Sequence, residues 1–427
     1  MRPSPRPSSA PPLLSSAEQR RGGPESRADV ATNRRLLDGA GTDRQAHLDR
    51  VGPLPHLSLD ALLAAVEAGG LTGRGGAGFP TAIKVRAVAA GGRRPVVVGN
   101  AMEGEPLSHK DAVLLSRNPH LVLDGLEVLA RALHAKRAVL AVGPELDPAP
   151  AQAAARHRKV DVVHLGGGFI AGQETALVNQ LDGRPAVPRD PFTRVTESGV
   201  DGRPTLVLNA ETLAQVALLA RHGADWYRTA GTPEDPGTSL FTVTGSVRHP
   251  GVVEAERGTP LSDVLAACAP VDPVAVLVGG YHGAWVPASS LDVRMTRSDL
   301  APFRATVGAG VLHVLGPDTC PIAYAAEVTD YLAGESARQC GPCLNGLPHL
   351  ARNLHRLAAG VRDRSLPHEI ERMSALVSGR GACAHPDGTA RFVGSTLDVF
   401  RDHVAAHLDG WCPSRVQPTR QPTGRAS

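Results

Sequence analysis

Three stretches with different hydrophobic periods follow one another along the chain, and this succession limits the folds that it can adopt. From Leu57 to about residue 230, short apolar runs alternate with helical patterns, which is typical of an α/β layer with a parallel sheet. Short strands around one helix follow, and from Tyr324 the pattern is helical. The sequence therefore predicts α/β, α+β and α domains in that order, at 53–232, 238–318 and 322–412.

The two ends of the chain lack a hydrophobic period. Residues 1–52 and 413–427 are rich in Pro, Ser, Arg and Gly, and we expect both to be disordered. Leu13–Leu14 is too short for a signal peptide, and no stretch is apolar enough to span a bilayer. The chain is expected to be cytoplasmic, with no direct membrane insertion and contact with the inner membrane face only through partners. Lys and Arg exceed Asp and Glu by only 45 to 42, which argues against nucleic acid.

A glycine loop at 71–80 lies between two predicted helices. Gly73, Gly75 and Gly78 satisfy G-x-G-x-x-G, but a helix precedes them, so the usual dinucleotide-binding context is missing. Glycine lets backbone N–H groups approach an anion, and Arg74 and Lys84 supply positive charge nearby. The segment predicts either a phosphate cradle or a structural turn.

Two more loops follow predicted strands. The segment 99–106 carries Glu103 and Glu105 at the carboxyl end of a strand, where ligands bind in open α/β sheets. The segment 166–177 has three glycines after a strand and then a helix that carries Glu174. Read alone, each fits an ordinary surface turn better than a ligand site.

The cysteines lie mainly in the last part of the chain, where their spacing favours metal ligation over disulfides in a reducing compartment. Cys340 and Cys343 form a C-x-x-C pair, but no βαβ unit surrounds it, which argues against a thioredoxin-like redox motif. Cys383 follows as a third candidate ligand. A pair of free thiols is the alternative.

Five motifs occur in a distinctive order: GRGGAGFPT, NAMEGEP, GQETAL, RPTLVLNAETL and QCGPC. Together they resemble the NADH-binding flavoprotein subunit of respiratory complex I and related subunits of NAD-linked formate dehydrogenases and hydrogenases. The resemblance extends over about 57–408. It implies a Rossmann-like FMN domain, a ubiquitin-like β-grasp (SLBB) module and a C-terminal helical bundle that holds a [4Fe–4S] cluster.

The resemblance also implies a role for individual residues. The glycine loop with Arg74 and Lys84 would hold FMN, Phe79 would stack on the nucleotide, and Asn209 would contact FMN. Asn100 and Glu103 would lie along the flavin edge, while Glu105 and Glu174 would line the nicotinamide side. The full predicted cofactor-binding set is Gly73, Arg74, Gly75, Gly76, Gly78, Phe79, Lys84, Asn100, Glu103, Gly104, Glu105, Gly172, Glu174 and Asn209.

Several positions depart from the family pattern. Ala337 occupies the position of the first cluster cysteine, while Cys340, Cys343 and Cys383 match the other three. On the nucleotide side, Met102 stands where the family has an acidic residue and Phe169 where it has a tyrosine. Gln173 replaces a glutamate, and Leu208 replaces an asparagine.

Cys412 is the predicted fourth cluster ligand and His385 its rival; a cluster of three irons, [3Fe–4S], is the other possibility.

The resemblance implies an oxidoreductase subunit that passes electrons from NADH through FMN to the cluster. The acceptor would be a partner protein, such as an iron–sulfur subunit or a ferredoxin, or a quinone-linked chain. No protein nucleophile or general base is required, because the cofactors carry the chemistry. The alternatives are an FMN protein with a ferredoxin-linked donor, and a degenerate homologue that serves only in assembly or ligand binding.

Overall fold

The computed structural model describes residues 34–189 and 192–414. A four-stranded sheet lies in the first part of the chain, and every neighbouring pair of its strands is parallel. The strands are ordered β3-β2-β1-β4. They are β1 (Val96–Ala101), β2 (Arg137–Val142), β3 (Asp161–His164) and β4 (Thr205–Asn209). The predicted α/β layer with a parallel sheet is confirmed.

Eight helices precede, connect or follow these strands. They are α1 (Arg44–Val51), α2 (Leu59–Ala68), α3 (Thr81–Ala89), α4 (Lys110–Arg117), α5 (Pro119–Ala132), α6 (Ala149–Ala155), α7 (Glu174–Leu181) and α8 (Ala210–Tyr227). Helices α5 and α8 pack closely, because Gly125 lies against the backbone of Leu213, where a Cβ would not fit. The Ser58 side chain caps α2 by accepting from the Ala61 N–H.

The segment before α2 is folded against the rest of the chain. The carboxylate of Glu254 accepts hydrogen bonds from the N–H groups of residues 35–37 at 2.9 to 3.1 Å. Leu36 is fully buried, and His47 Nε2 lies 2.8 Å from the buried Asp124 carboxylate. The prediction of a disordered N-terminal tail is therefore wrong for residues 34–52, because apolar burial and these bonds hold them. Residues 1–33 and 415–427 lie outside the described part of the chain.

A second sheet of five strands follows, ordered β6-β5-β9-β7-β8. Only β5 and β9 are parallel, and the other neighbours are antiparallel. This mixed sheet with two short helices is the α+β layer that the sequence predicts. Its elements are β5 (Thr238–Gly245), β6 (Gly251–Glu256), α9 (Leu261–Ala266), β7 (Ala275–Val278), β8 (Ala284–Pro287), α10 (Arg297–Leu300) and β9 (Val311–Leu315).

The last part of the chain is helical. Its helices are α11 (Pro321–Gly334), α12 (Leu347–Ala358), α13 (Leu366–Val377), α14 (His385–Val399) and α15 (Arg401–Leu408). Trp285 of β8 joins this bundle to the second sheet: its indole N–H donates to Thr396 Oγ1 at 3.0 Å, and its backbone N–H donates to Ser395 Oγ at 2.8 Å. Among the described residues, no helix is long and apolar enough to cross a membrane.

Candidate flavin and iron–sulfur sites

The glycine loop is an open turn between α2 and α3. It is closed at its base, where the Gly73 N–H donates to the Phe79 carbonyl oxygen at 2.9 Å. Gly76 and Gly78 have φ values of 109° and 61°, a backbone conformation that favours glycine. A Cβ at Gly78 would meet no atom within 4 Å, and the Phe79 ring is 52% exposed. The outer edge of the loop is therefore free to receive a ligand.

Helix α3 starts directly after this loop and presents positive charge to it. No side chain caps its first turn; the Thr81 N–H donates to the Leu71 carbonyl oxygen at 3.0 Å, which leaves the N–H groups of Ala82 and Ile83 for an anion. Lys84 lies near this end, with Nζ 2.9 Å from the Val207 carbonyl oxygen and 2.7 Å from Glu174 Oε1. Lys84 thus links the start of α3 to β4 and to the start of α7.

Two asparagines lie side by side at the carboxyl edge of the first sheet, because Asn100 of β1 pairs with Asn209 of β4. Asn209 Oδ1 accepts from the Glu211 N–H at 3.0 Å and from Lys110 Nζ at 3.1 Å. Asn100 Nδ2 donates to the Gly172 carbonyl oxygen at 2.9 Å. Both amides are held in fixed orientations at the edge where open α/β sheets bind ligands.

A buried ionic group beneath this edge was not among the predicted site residues. Lys110 Nζ lies 2.7 Å from Asp111 Oδ1 and 3.2 Å from Glu211 Oε2. These carboxylates outweigh the cost of burial and raise the pKa of Lys110. The Lys-Asp pair that follows the NAMEGEP motif was the available sequence signal.

Arg74 and Glu103 face inward. The Arg74 guanidinium donates to Tyr227 Oη at 3.2 Å and to the Pro236 carbonyl oxygen at 3.4 Å, so it does not lie at the exposed edge of the loop. The Glu103 carboxylate caps α4 by accepting from Ser108 Oγ and from two backbone N–H groups, at 2.6 to 3.2 Å. Burial and the Asp111 charge raise the pKa of Glu103 to about 7. These contacts give the predicted flavin roles of Arg74 and Glu103 no support.

Glu105 reaches the loop between β7 and β8. Its carboxylate accepts from the Tyr281 N–H at 2.8 Å, and Gly280 leaves the space that it occupies. Burial raises the pKa of Glu105 to about 7. Glu105 therefore connects the α/β layer to the second sheet.

The predicted glycines Gly104 and Gly172 serve loop packing. A Cβ at Gly104 would lie 2.7 Å from the carbonyl oxygens of Gly168 and Phe169, and one at Gly172 would lie 2.7 Å from that of Met102. The two loops can approach each other only because these side chains are absent.

Two of the substituted positions on the nucleotide side have structural roles. Met102 is buried in an apolar cluster with Ala171 and Leu177. Gln173 Oε1 caps α7 by accepting from the N–H groups of Thr175 and Ala176, each at 2.9 Å.

Three thiols converge where the bundle meets the α/β layer. Burial and the neighbouring Cys340 and Cys383 thiols raise the pKa of Cys343 to about 12, and the Ser336 hydroxyl also hydrogen-bonds it. Cys343 lies in a single π-helical turn, Pro342–Gly346, a local irregularity that is frequent at functional sites.

The predicted fourth ligands lie elsewhere. Cys412 is next to Cys320, at the start of α11, whereas Cys340 follows the end of that helix. The 14 residues of α11 separate its ends by about 21 Å, so Cys412 as the fourth ligand is wrong. His385 is turned inward: Nε2 lies 2.8 Å from the Leu332 carbonyl oxygen and Nδ1 3.2 Å from His282 Nε2. Neither ring nitrogen is free to replace the missing thiolate.

The segment before the Cys340–Cys343 pair is hydrogen-bonded to the glycine-rich loop at 166–177 and to the chain that follows it. The Phe169 N–H donates to Glu335 Oε2 at 2.9 Å, and Gln339 Nε2 donates to the Pro188 carbonyl oxygen at 2.8 Å. Glu335 and Gln339 flank Ala337 in the segment before the cysteine pair. The two candidate cofactor sites are therefore in direct contact through the protein.

Comparison with known proteins agrees with this geometry. The model of the Nuo51 FMN-binding domain matches residues 66–218, the SLBB domain matches 240–272, and the NADH-ubiquinone oxidoreductase-F iron-sulfur binding region matches 323–407. A NADH-quinone oxidoreductase F subunit of Rhizobium meliloti, the one numbered 2, is 31% identical over 377 residues, which cover 82% of this chain and 89% of that protein. The chain belongs to the family of NADH-quinone oxidoreductase F subunits.

Other relatives of this family show the same similarity. NADP-reducing hydrogenase subunit HndC of Solidesulfovibrio fructosivorans is 28% identical over 380 residues, covering 82% of this chain and 77% of that protein. The crystal structure of an NAD+-reducing [NiFe]-hydrogenase in its H2-reduced state has a TM-score of 0.79 and 31% identity, covering 90% of this chain and 68% of that chain.

As a member of the F-subunit family, the chain is an NADH-dehydrogenase-type oxidoreductase subunit, and its predicted cofactors FMN, iron–sulfur cluster and NAD(H) are confirmed.

The described residues fit FMN. The glycine loop leaves an open edge, α3 begins without a cap, and Lys84 supplies a positive charge beside both. For the cluster, Cys343 lies close enough to Cys340 and Cys383 to feel both thiols, while Cys412 lies beside Cys320 at the other end of α11. An open glycine loop and a nearby lysine are therefore available to FMN, and three neighbouring cysteines are available to a cluster.

Proposed function

We propose that this chain binds FMN between the glycine loop at Gly73–Gly78 and the edge of the first sheet, and oxidises NADH there. The observation that supports this most is the placement of Lys84. Its ammonium group lies between the uncapped start of α3, Val207 in β4 and Glu174 at the start of α7, beside an open glycine loop. A phosphate bound here would share the ammonium group with the Glu174 carboxylate and would accept from the free N–H groups of the glycine loop and α3.

The side chains around this position would bind and orient the flavin. Lys84 and the N–H groups of Ala82 and Ile83 would hold the phosphate, while Asn100 and Asn209, whose amides bond to the protein, would shape the sheet edge beneath the ligand. The exposed Phe79 ring would stack on the nucleotide, and Glu174 would border the nicotinamide side. The bound cofactors supply hydride acceptance from NADH and one-electron transfer to a partner.

We further propose that Cys340, Cys343 and Cys383 hold an iron–sulfur cluster through three thiolates. Ala337 cannot ligate iron, so one iron would have no cysteine ligand from this chain and would accept water or a ligand from outside. The Phe169–Glu335 contact supports electron transfer between the two sites. An iron–sulfur partner subunit or a ferredoxin would take the electrons, and any membrane association would come through such partners.

The division into an FMN domain at 53–232, an SLBB domain at 238–318 and a cluster domain at 322–412 is part of the same proposal. The first sheet, the second sheet and the helical bundle lie within these ranges.

The test of the proposed function is the visible spectrum of anaerobically purified protein before and after NADH. We expect bound FMN that is bleached by NADH, together with iron and sulfide. Gly75→Val, whose side chain would press on Asn209, should lose flavin. Gly92→Val, at an exposed glycine with no atom within 4 Å of an added Cβ, is the matched control and should keep it.

Flavin that stays oxidised with NADH but is reduced by a ferredoxin would favour the ferredoxin-linked alternative. Protein without flavin would contradict the proposal.

A further inference from the structure

A second group of metal-binding side chains lies at the other end of α11. Cys320, His407 and Cys412 place one sulfur or nitrogen atom each within 4.8 Å of the others, and Cys320 Sγ is 3.2 Å from His407 Nε2. In a tetrahedral zinc site, Zn–S bonds of about 2.3 Å and Zn–N bonds of about 2.0 Å require separations of this size. The group is thus compact enough for a single ion with little movement.

Three different elements hold these side chains in place. Cys320 caps α11, and its sulfur accepts from the Ala323 N–H at 3.4 Å. His407 lies in the last turn of α15 and is 3% exposed. The chain then turns at Gly410, where φ is 87°, and this turn brings Cys412 back towards α11.

The orientation of the His407 ring is the one that a metal ligand needs. His407 Nε2 faces Cys320 Sγ at 3.2 Å, and the backbone of Leu357 and Ala358 lies beside the ring. Because Nε2 is turned to the sulfur, Nδ1 is the nitrogen available to these carbonyl groups. A proton on Nδ1 leaves the Nε2 lone pair free, and metal-ligating histidines usually have such a second partner.

We propose that Cys320, His407 and Cys412 bind one zinc ion, with water or a group from another molecule at the fourth position. Two thiolates and an imidazole form a ligand set that selects zinc over magnesium or calcium, which prefer oxygen ligands. Binding releases the two thiol protons, and no electron transfer is involved. The ion would join the end of α15 to the start of α11.

Zinc bound here would tie the C-terminal segment to the rest of the bundle. A metal must displace the protons of the Cys320 and Cys412 thiols to bind here. The site therefore binds metal more weakly as the pH falls. It is also separate from Cys340, Cys343 and Cys383, which lie beyond the far end of α11.

The experiment must distinguish this site from the cluster cysteines, which can bind zinc when no cluster is present. Zinc is therefore measured per chain in a variant with Cys340, Cys343 and Cys383 all changed to Ser. We expect about one zinc ion per chain in this variant, and near zero after a further Cys412→Ser or His407→Ala substitution. His403→Ala, one turn earlier on α15, and Cys268→Ala are the matched controls and should keep the zinc.

X-ray absorption at the zinc edge of the unsubstituted protein gives a second readout, which does not depend on any variant folding. Two sulfur ligands and one nitrogen ligand are expected for this site, whereas zinc at the cluster cysteines would show three sulfurs. Zinc absent from the cysteine-substituted protein, or a spectrum with sulfur ligands alone, would overturn the proposal. A disulfide between Cys320 and Cys412 in protein purified without oxidant would overturn it too.

Discussion

At the scale of single residues, the motifs indicate which side chains gather at the sheet edge but not the direction in which each one points. Lys84 and Asn209 lie at that edge as the family pattern implies. Arg74 and Glu103, from the same motifs, satisfy buried groups of the protein instead. The difference arises from partners distant in sequence, such as Tyr227 for Arg74, which a local motif cannot reveal.

Lys84→Met should weaken FMN binding about 10- to 100-fold, because a charge-assisted contact to phosphate contributes about 1.5–3 kcal/mol. Quenching of flavin fluorescence by apo-protein measures the dissociation constant. Lys136→Met removes an exposed lysine and should leave it unchanged. Lys84 also pairs with Glu174, so the melting temperature of the apo-protein shows whether the variant merely loses structure. An unaltered FMN dissociation constant would exclude Lys84 from the site.

Ala337→Cys should supply the missing fourth thiolate. We expect iron content to rise towards ~4 per chain and the cluster to resist oxygen better, since four cysteines are the usual ligands of a [4Fe–4S] cluster. Iron analysis and electron paramagnetic resonance of the reduced protein measure this. Ala89→Cys adds a thiol on the exposed side of α3 and serves as control. If both variants resemble the unsubstituted protein, residue 337 does not adjoin the cluster.

At the scale of elements, hydrophobic period predicts the long buried elements well and the short or irregular ones poorly. The strands of the first sheet and helices α2, α5 and α12 match the pattern of the sequence. Strand β9 was missed, although it lies at the centre of the second sheet. The helical pattern after Tyr324 did not indicate that α14 and α15 are separated at Phe400. Both errors come from tertiary packing. Strand β9 is defined by its pairing with β5 and β7, and the end of α14 is held against the second sheet by the hydrogen bond between Trp285 and Ser395.

The half-buried imidazole of His313 on β9 predicts acid sensitivity of the second sheet. Burial lowers the pKa of His313 to about 4 from 6.5, so between these values the unfolded chain binds more protons than the folded one. His313 does not reduce the free energy of unfolding above pH 6.5, and it reduces this free energy progressively as the pH falls towards 4. Between pH 7 and pH 5, His313→Gln should lose less stability than the unsubstituted protein, by on the order of 1–2 kcal/mol.

Denaturant unfolding at the two pH values, followed by circular dichroism, measures the difference. His56→Gln, at an exposed histidine, should behave like the unsubstituted protein. Equal losses in all three proteins would show that His313 does not contribute.

At the scale of the whole molecule, function depends on contacts that join the three parts of the chain. A hydrogen bond of Glu105 connects the α/β layer to the second sheet, and one of Trp285 connects that sheet to the bundle. A hydrogen bond of Glu335 connects the bundle to the α/β layer. The order of the motifs indicated the three parts and their cofactors, but the partners of these residues are more than 100 positions away in sequence. No period or spacing in the sequence records such pairings, which only the folded structure shows.

Glu335→Ala should loosen this junction without emptying either site. The carboxylate accepts the Phe169 N–H at 2.9 Å, and losing a hydrogen bond to a charged group costs about 1.5–3 kcal/mol. We therefore expect the Phe169 amide to exchange hydrogen about 10- to 100-fold faster, with flavin and iron contents unchanged. Stopped-flow spectra should then show flavin reduction by NADH at the normal rate and slower reduction of the cluster. Glu371→Ala removes an exposed carboxylate of α13 and should alter neither rate. Faster exchange at Phe169 with normal cluster reduction would mean that this contact stabilises the fold but does not position the two sites for electron transfer.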